Sequence, residues 1–94
     1  MNKFNDEWAT RERIIKLELR EARQNLKEAK HALASDMKEL KQEIAKGPSD
    51  WNCDTINNMS LCAQDRAKEV KACELDIANL IEELETNTFR KYID

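Results

Sequence analysis

The side chains with the most chemistry to offer are three cysteines and one histidine: Cys53, Cys62, Cys73 and His31. Nucleophilic catalysis needs a thiol with a base beside it, and a zinc site needs Cys or His ligands at short, paired spacings. The cysteines stand nine and eleven residues apart, no two form a CxxC pair, and His31 lies far from all three in sequence. Three reduced thiols are expected, with no metal site and no cofactor. The chain has no glycine-rich phosphate loop and no nucleophile with a base at a usable spacing. A non-enzymatic protein with no catalytic residues is therefore expected.

A row of cations carries a different chemistry, the recognition of negative charge. Arg13, Lys16, Arg20, Arg23, Lys27 and Lys30 step by three, four, three, four and three. On a helix that spacing makes one stripe, about 110 degrees from the apolar stripe at about 100 degrees per residue. Glu18, Glu21, Glu28 and Asp36 project to the opposite flank. The row is a candidate partner-binding surface, read either as a phosphate-tracking surface or as a docking face for an acidic partner. The usual role of charged rows beside such a seam is a solvated flank whose charges meet acids across a dimer, and that reading is weighted above the other two. Net acidity, no nucleic-acid-reading motif and no aromatic within the row all weigh against nucleic acid. A second candidate partner-binding group is aromatic: Phe4, Trp8, Phe89 and Tyr92. It is read either as a plug closing one end of a bundle or as an anchor for a partner, since such clusters often carry interface energy.

These groups have to be positioned by helices. The 94 residues hold one glycine and one proline, adjacent at Gly47-Pro48, which leaves one obvious turn and argues against sheets and barrels. Ala, Leu, Glu, Lys, Arg and Gln dominate up to Lys46, and these are the strongest helix formers. Asn5 or Asp6 is expected to cap helix 1, and Gly47 to take the left-handed position just beyond its end. Ser49 or Asp50 is expected to cap helix 2, with Asn52 to Asn58 as its weakest stretch. The expectation is one all-α domain over 1–94: helix 1 about 4–46, a turn at 47–50, and helix 2 about 51–92.

The apolar spacing gives the pairing. Ile15, Leu19, Ala22, Leu26, Ala29 and Leu33 alternate steps of four and three, a heptad seam. It is expected to continue through Met37, Leu40 and Ile44, with one extra residue at Leu33 to Met37 that makes a stutter. Helix 2 offers Ile56, Met59, Ala63, Ala67, Val70, Cys73, Ile77, Leu80, Ile81 and Leu84, with Arg66 and Glu74 beside the stripe. An antiparallel hairpin then sets residue i near residue 96 − i, with Phe4 and Trp8 meeting Phe89 and Tyr92, and Trp51 over Ile44 and Leu40. One hairpin buries one stripe per helix and encloses little core, so a homodimer forming a four-helix bundle is expected.

Charge is uneven as well. Residues 1–47 carry 11 basic and 9 acidic side chains, and residues 48–94 carry 5 and 10, for a net −3 overall. No apolar run is long enough for a membrane span, and acids stand where a signal peptide would be apolar, so a cytoplasmic location is expected. In shape and composition, though not through any motif, the chain resembles small accessory proteins of bacteriophages. That resemblance implies an inhibitor or adaptor acting in the host cytoplasm, such as one that blocks a host nuclease or defence enzyme. A nucleic-acid-binding helical protein and a purely structural oligomer are the alternatives.

Overall fold

A computed structural model describes the backbone of residues 3–93 and the side chains of residues 7–90. Two long helices pack as an antiparallel hairpin: α1 over Lys3–Ala45 and α2 over Cys53–Ile93. No strand occurs among the described residues. The molecule is a rod measuring 74 × 16 × 15 Å. At about 1.5 Å per residue, helices of this length account for most of that long dimension.

The helices meet along one seam, and the seam keeps a single phase from end to end. On α1 the half-buried or buried positions are Trp8, Glu12, Ile15, Leu19, Ala22, Leu26, Ala29, Leu33, Asp36, Leu40 and Glu43, with Ala32 beside them. These alternate steps of four and three without interruption. The stutter expected after Leu33 is absent. Met37 is 38% exposed and Ile44 is 44% exposed, so both stand outside the seam, and Asp36 and Glu43 occupy it instead. Asp36 therefore does not lie on the acidic flank either. The physical reason is pairing. Asp36 meets the Arg66 guanidinium from α2 at 3.4 Å, and Glu43 meets Lys46 at 2.8 Å, so the seam accepts both carboxylates. Shifting phase to bury Met37 would rotate the whole remaining helix against α2.

Side chains buried outright are few: Ile15 (2% exposed), Leu19, Ala29 and Ala63 among the apolar ones, with Asn87 the buried polar one. Most of the remaining seam, including Leu26, Leu33, Val70, Ile77, Leu80 and Leu84, is half-buried. Full burial of a large aliphatic side chain is worth about 1.5–3 kcal/mol, and only Ile15 and Leu19 come near it. Two ion pairs also link the helices, Arg11 to Glu83 at 2.6 Å and Arg66 to the half-buried Asp36. Exposed pairs such as Arg11–Glu83 add little.

The turn differs from expectation in its details. Gly47 has φ +92° and ψ 156°. That is a positive φ as expected, but the partner angle is extended rather than left-handed helical, in a region essentially reserved for glycine. Lys46 and Gly47 donate from their amides to the Glu43 and Ile44 carbonyls, tightening the last turn of α1. Pro48–Asp50 then forms a 3-10 turn. Asn52 caps α2, not Ser49 or Asp50: its Oδ1 accepts the Thr55 amide at 3.1 Å. Trp51 is held against the end of α1, its indole N–H donating to the Ile44 carbonyl at 2.9 Å. At the other end α1 begins at Lys3, so Asn5 and Asp6 stand inside the helix and not at its cap.

Candidate interaction surface: two charged flanks

The continuous seam divides the outside of the rod into two long flanks. The first flank lies beyond α1 on one side of the seam and carries the cationic row. Arg13, Lys16, Arg20, Arg23, Lys27 and Lys30 are all exposed, as the heptad spacing predicts. Lys16 meets Glu12 one turn back at 3.1 Å. Arg13, Arg20, Arg23, Lys27 and Lys30 have no ion-pair or hydrogen-bond partner among the described residues. By the same spacing the flank continues through Ala34, Met37, Lys41 and Ile44.

The second flank is acidic and draws on both helices. Grooves between α1 and α2 open on it. One is lined by Glu18, Glu21 and Asp76 beside Ala22 and Cys73. Another is lined by Glu28, Glu69 and Arg66 around Ala29 and Ala72. A third, of about 770 Å³, lies at the open end of the hairpin between Glu7, Trp8, Arg11, Ile14, Glu83 and Arg90. Glu83 is tied to Arg11, and Glu69 to Arg66 at 3.3 Å. The Glu69 carboxylate, and then Asp36, raise the Arg66 pKa above its ordinary value, so the guanidinium stays charged. Gln24 donates to Glu28 at 3.2 Å. Glu18, Glu21 and Asp76 remain unpaired among the described residues. The segregation follows from sequence spacing on α1, where the cations fall on one side of the seam and Glu18, Glu21 and Glu28 on the other; on α2, Glu69, Asp76 and Glu83 reach the acidic side, while Glu74 falls on the side of the cationic row.

The aromatic group does not assemble as expected. Trp8 is half-buried in the seam, but Phe89 is 63% exposed and points away from it. The side chain lying by the Trp8 turn is Asn87, whose Nδ2 donates to the Trp8 carbonyl at 3.4 Å. Asn87 is 5% exposed and its Oδ1 has no partner. The Phe4 and Tyr92 side chains lie outside the described residues. Asn87 is a seam residue that a search for apolar spacing passes over. Its one detectable signal is its place three residues after Leu84, in phase with Ile77 and Leu80.

Cys53 and Cys62 are exposed, Cys73 is half-buried in the seam, and all three are free thiols. His31 is exposed on the outer edge of α1. Among the described residues no group of three or more His, Cys, Asp or Glu is placed to hold a metal ion. No helix is long and apolar enough to cross a membrane. The chain matches no protein-family model, no curated protein and no solved structure.

Proposed function

We propose that the protein is a non-catalytic binding module whose cationic flank docks an acidic protein surface. One observation carries this reading: Arg13, Arg20, Arg23, Lys27 and Lys30 stand exposed and unpaired in a single line. Charges that served only to hold the hairpin together would face acids across the seam, as Arg11 does with Glu83. A solvated line of like charge on a rigid helix instead favours encounter with an opposite surface, through faster association. The role is that of an inhibitor or adaptor, as the phage-accessory resemblance implies, and self-association belongs to the same reading.

The acidic flank supports a second use. Glu18, Glu21, Asp76 and their neighbours present negative charge along a rod, the complement of a basic nucleic-acid-binding surface. A host nuclease is the kind of target such a flank suits. Direct nucleic-acid binding would need the cationic flank to track phosphates.

The test is a tagged pull-down from the native host with wild type and R20E/R23E side by side. The reading expects a protein partner retained by wild type and lost by the variant, chiefly through slower association. Retention of that partner by the variant would sink it. Salt-sensitive DNA retention by wild type would promote nucleic-acid binding in its place.

A further inference from the structure

We infer that the cationic flank of one copy fits the acidic flank of a second copy, so that hairpins associate side by side and head to tail. This deepens the proposed function by naming an occupant for the cationic face. The charged stretches match in position along the rod. The cationic row runs from Arg13 to Lys30, about 26 Å at about 1.5 Å per residue. On the opposite flank α1 places Glu18, Glu21 and Glu28 over the same span. The antiparallel register brings the acids of α2 to those levels: Glu83 beside Arg11, Asp76 beside Glu21, and Glu69 beside Glu28. Two rods laid side by side in register therefore set cations against Glu18, Glu21, Glu28 and Asp76, while Glu83 and Glu69 are paired with Arg11 and Arg66 of their own chain.

The geometry also fixes the kind of assembly. The two flanks lie on opposite sides of the seam, so a contact between them is heterologous and leaves each partner with one flank open. Such a contact continues into longer arrays and does not close as a two-fold dimer. A two-fold dimer through the cationic flank would instead bring like-charged rows near each other. The apolar residues exposed outside the seam are spread along the rod: Ile14, Leu17, Met37 and Ile44 on α1, Trp51 after the turn, and Leu61, Leu75, Ile81 and Phe89 on α2, with Leu61, Leu75 and Phe89 fourteen residues apart. With a net charge of −3, the chain raises little overall repulsion against lateral contact.

The test uses the full chain and two charge-swap variants, R20E/R23E on the cationic flank and E21K/D76K on the acidic flank. All four positions are exposed, and circular dichroism checks that each variant keeps its helices. Should one fail, K27E/K30E and E18K/E28K probe the same two flanks. Sedimentation velocity at about 0.02 M and about 0.5 M salt reads the mass, since exposed charges are screened within a few Å at the higher value. Wild type should exceed twice the 11.0 kDa chain mass at low salt and fall to that of a single chain at high salt. Each variant alone should remain a single chain at low salt. Their equimolar mixture should recover association, because the intact cationic flank of one meets the intact acidic flank of the other and the two swapped flanks are again opposite in charge. Wild type that is a single chain at low salt would overturn the inference, with the pull-down result left standing on its own. So would variants that still associate alone, or a mixture that stays monomeric.

Discussion

The open-end half of the hairpin and the turn half share one heptad phase but fill it differently. In the open-end half, Ile15, Leu19, Ala22, Leu26 and Ala29 occupy the α1 seam, and the cations stand beside it on the flank. In the turn half the contents change places. Asp36 and Glu43 enter the seam, while Met37 and Ile44 lean out onto the flank that the cations occupy further up. The difference teaches that the backbone register is decided where burial is deepest. A long, stiff helix then carries that phase through a region whose own apolar pattern would have chosen another. A carboxylate in the seam is tolerable there because each of the two finds a cation within reach, Arg66 for Asp36 and Lys46 for Glu43.

The comparison breaks most visibly if the deep positions are shortened. Ile15→Ala or Leu19→Ala should each cost about 2–5 kcal/mol, the usual range for truncating a buried aliphatic side chain. Thermal unfolding followed by circular dichroism should show either variant largely melted where wild type is folded. A small shift at both sites would mean that the open-end half is not the deeper one.

Gly47→Ala comes next. Nothing lies within 4 Å of a Cβ built there, so the cost is conformational and comes from φ +92° with an extended ψ. About 1–3 kcal/mol is expected. Urea unfolding measures it, and an unchanged midpoint would argue against this turn geometry.

Asn87→Leu should act in the other direction. It removes a buried oxygen without a partner and puts an apolar side chain in phase with Leu80 and Leu84. A gain of about 1 kcal/mol is expected, since an unsatisfied buried polar atom costs at least that. Destabilisation instead would assign Asn87 a role in holding the register through the Trp8 carbonyl.

The smallest effects belong to the turn half. Met37→Ala and Ile44→Ala should each change stability by less than about 0.5 kcal/mol, as exposed substitutions usually do. If the seam shifted phase after Leu33, both would instead behave as core truncations, and the same unfolding curves would show it.

Much of this was legible in the sequence. The single Gly47-Pro48 turn, the two long helices and the α1 seam from Ile15 to Leu33 follow from spacing and composition, and the helix bounds agree within a residue or two. The antiparallel register also held to within two residues, with Trp8 by Asn87 and Arg11 by Glu83. What spacing missed were the polar members of the seam. A pattern search follows apolar residues, so it stepped from Leu33 to Met37 and passed over Asp36, whose place depends on Arg66 from the other helix. Asn52 and Ser49 are both good caps by type, and only the amide geometry at Thr55 separates them. The cationic row was visible as a stripe. That five of its six members find no ion-pair partner among the described residues was not, because that depends on which side of the seam the acids of α2 reach.

The most direct test of the two-flank account is to see where on the rod a contact forms. Backbone amide chemical shifts of wild type can be compared between dilute and concentrated samples at low salt. The account predicts concentration-dependent shifts along residues 13–30 of the cationic flank and around Glu18, Glu21 and Asp76 of the acidic flank, both disappearing at high salt. Shifts confined to the exposed apolar positions Leu61, Leu75 and Phe89, or to Met37, Ile44 and Trp51, and insensitive to salt, would contradict it.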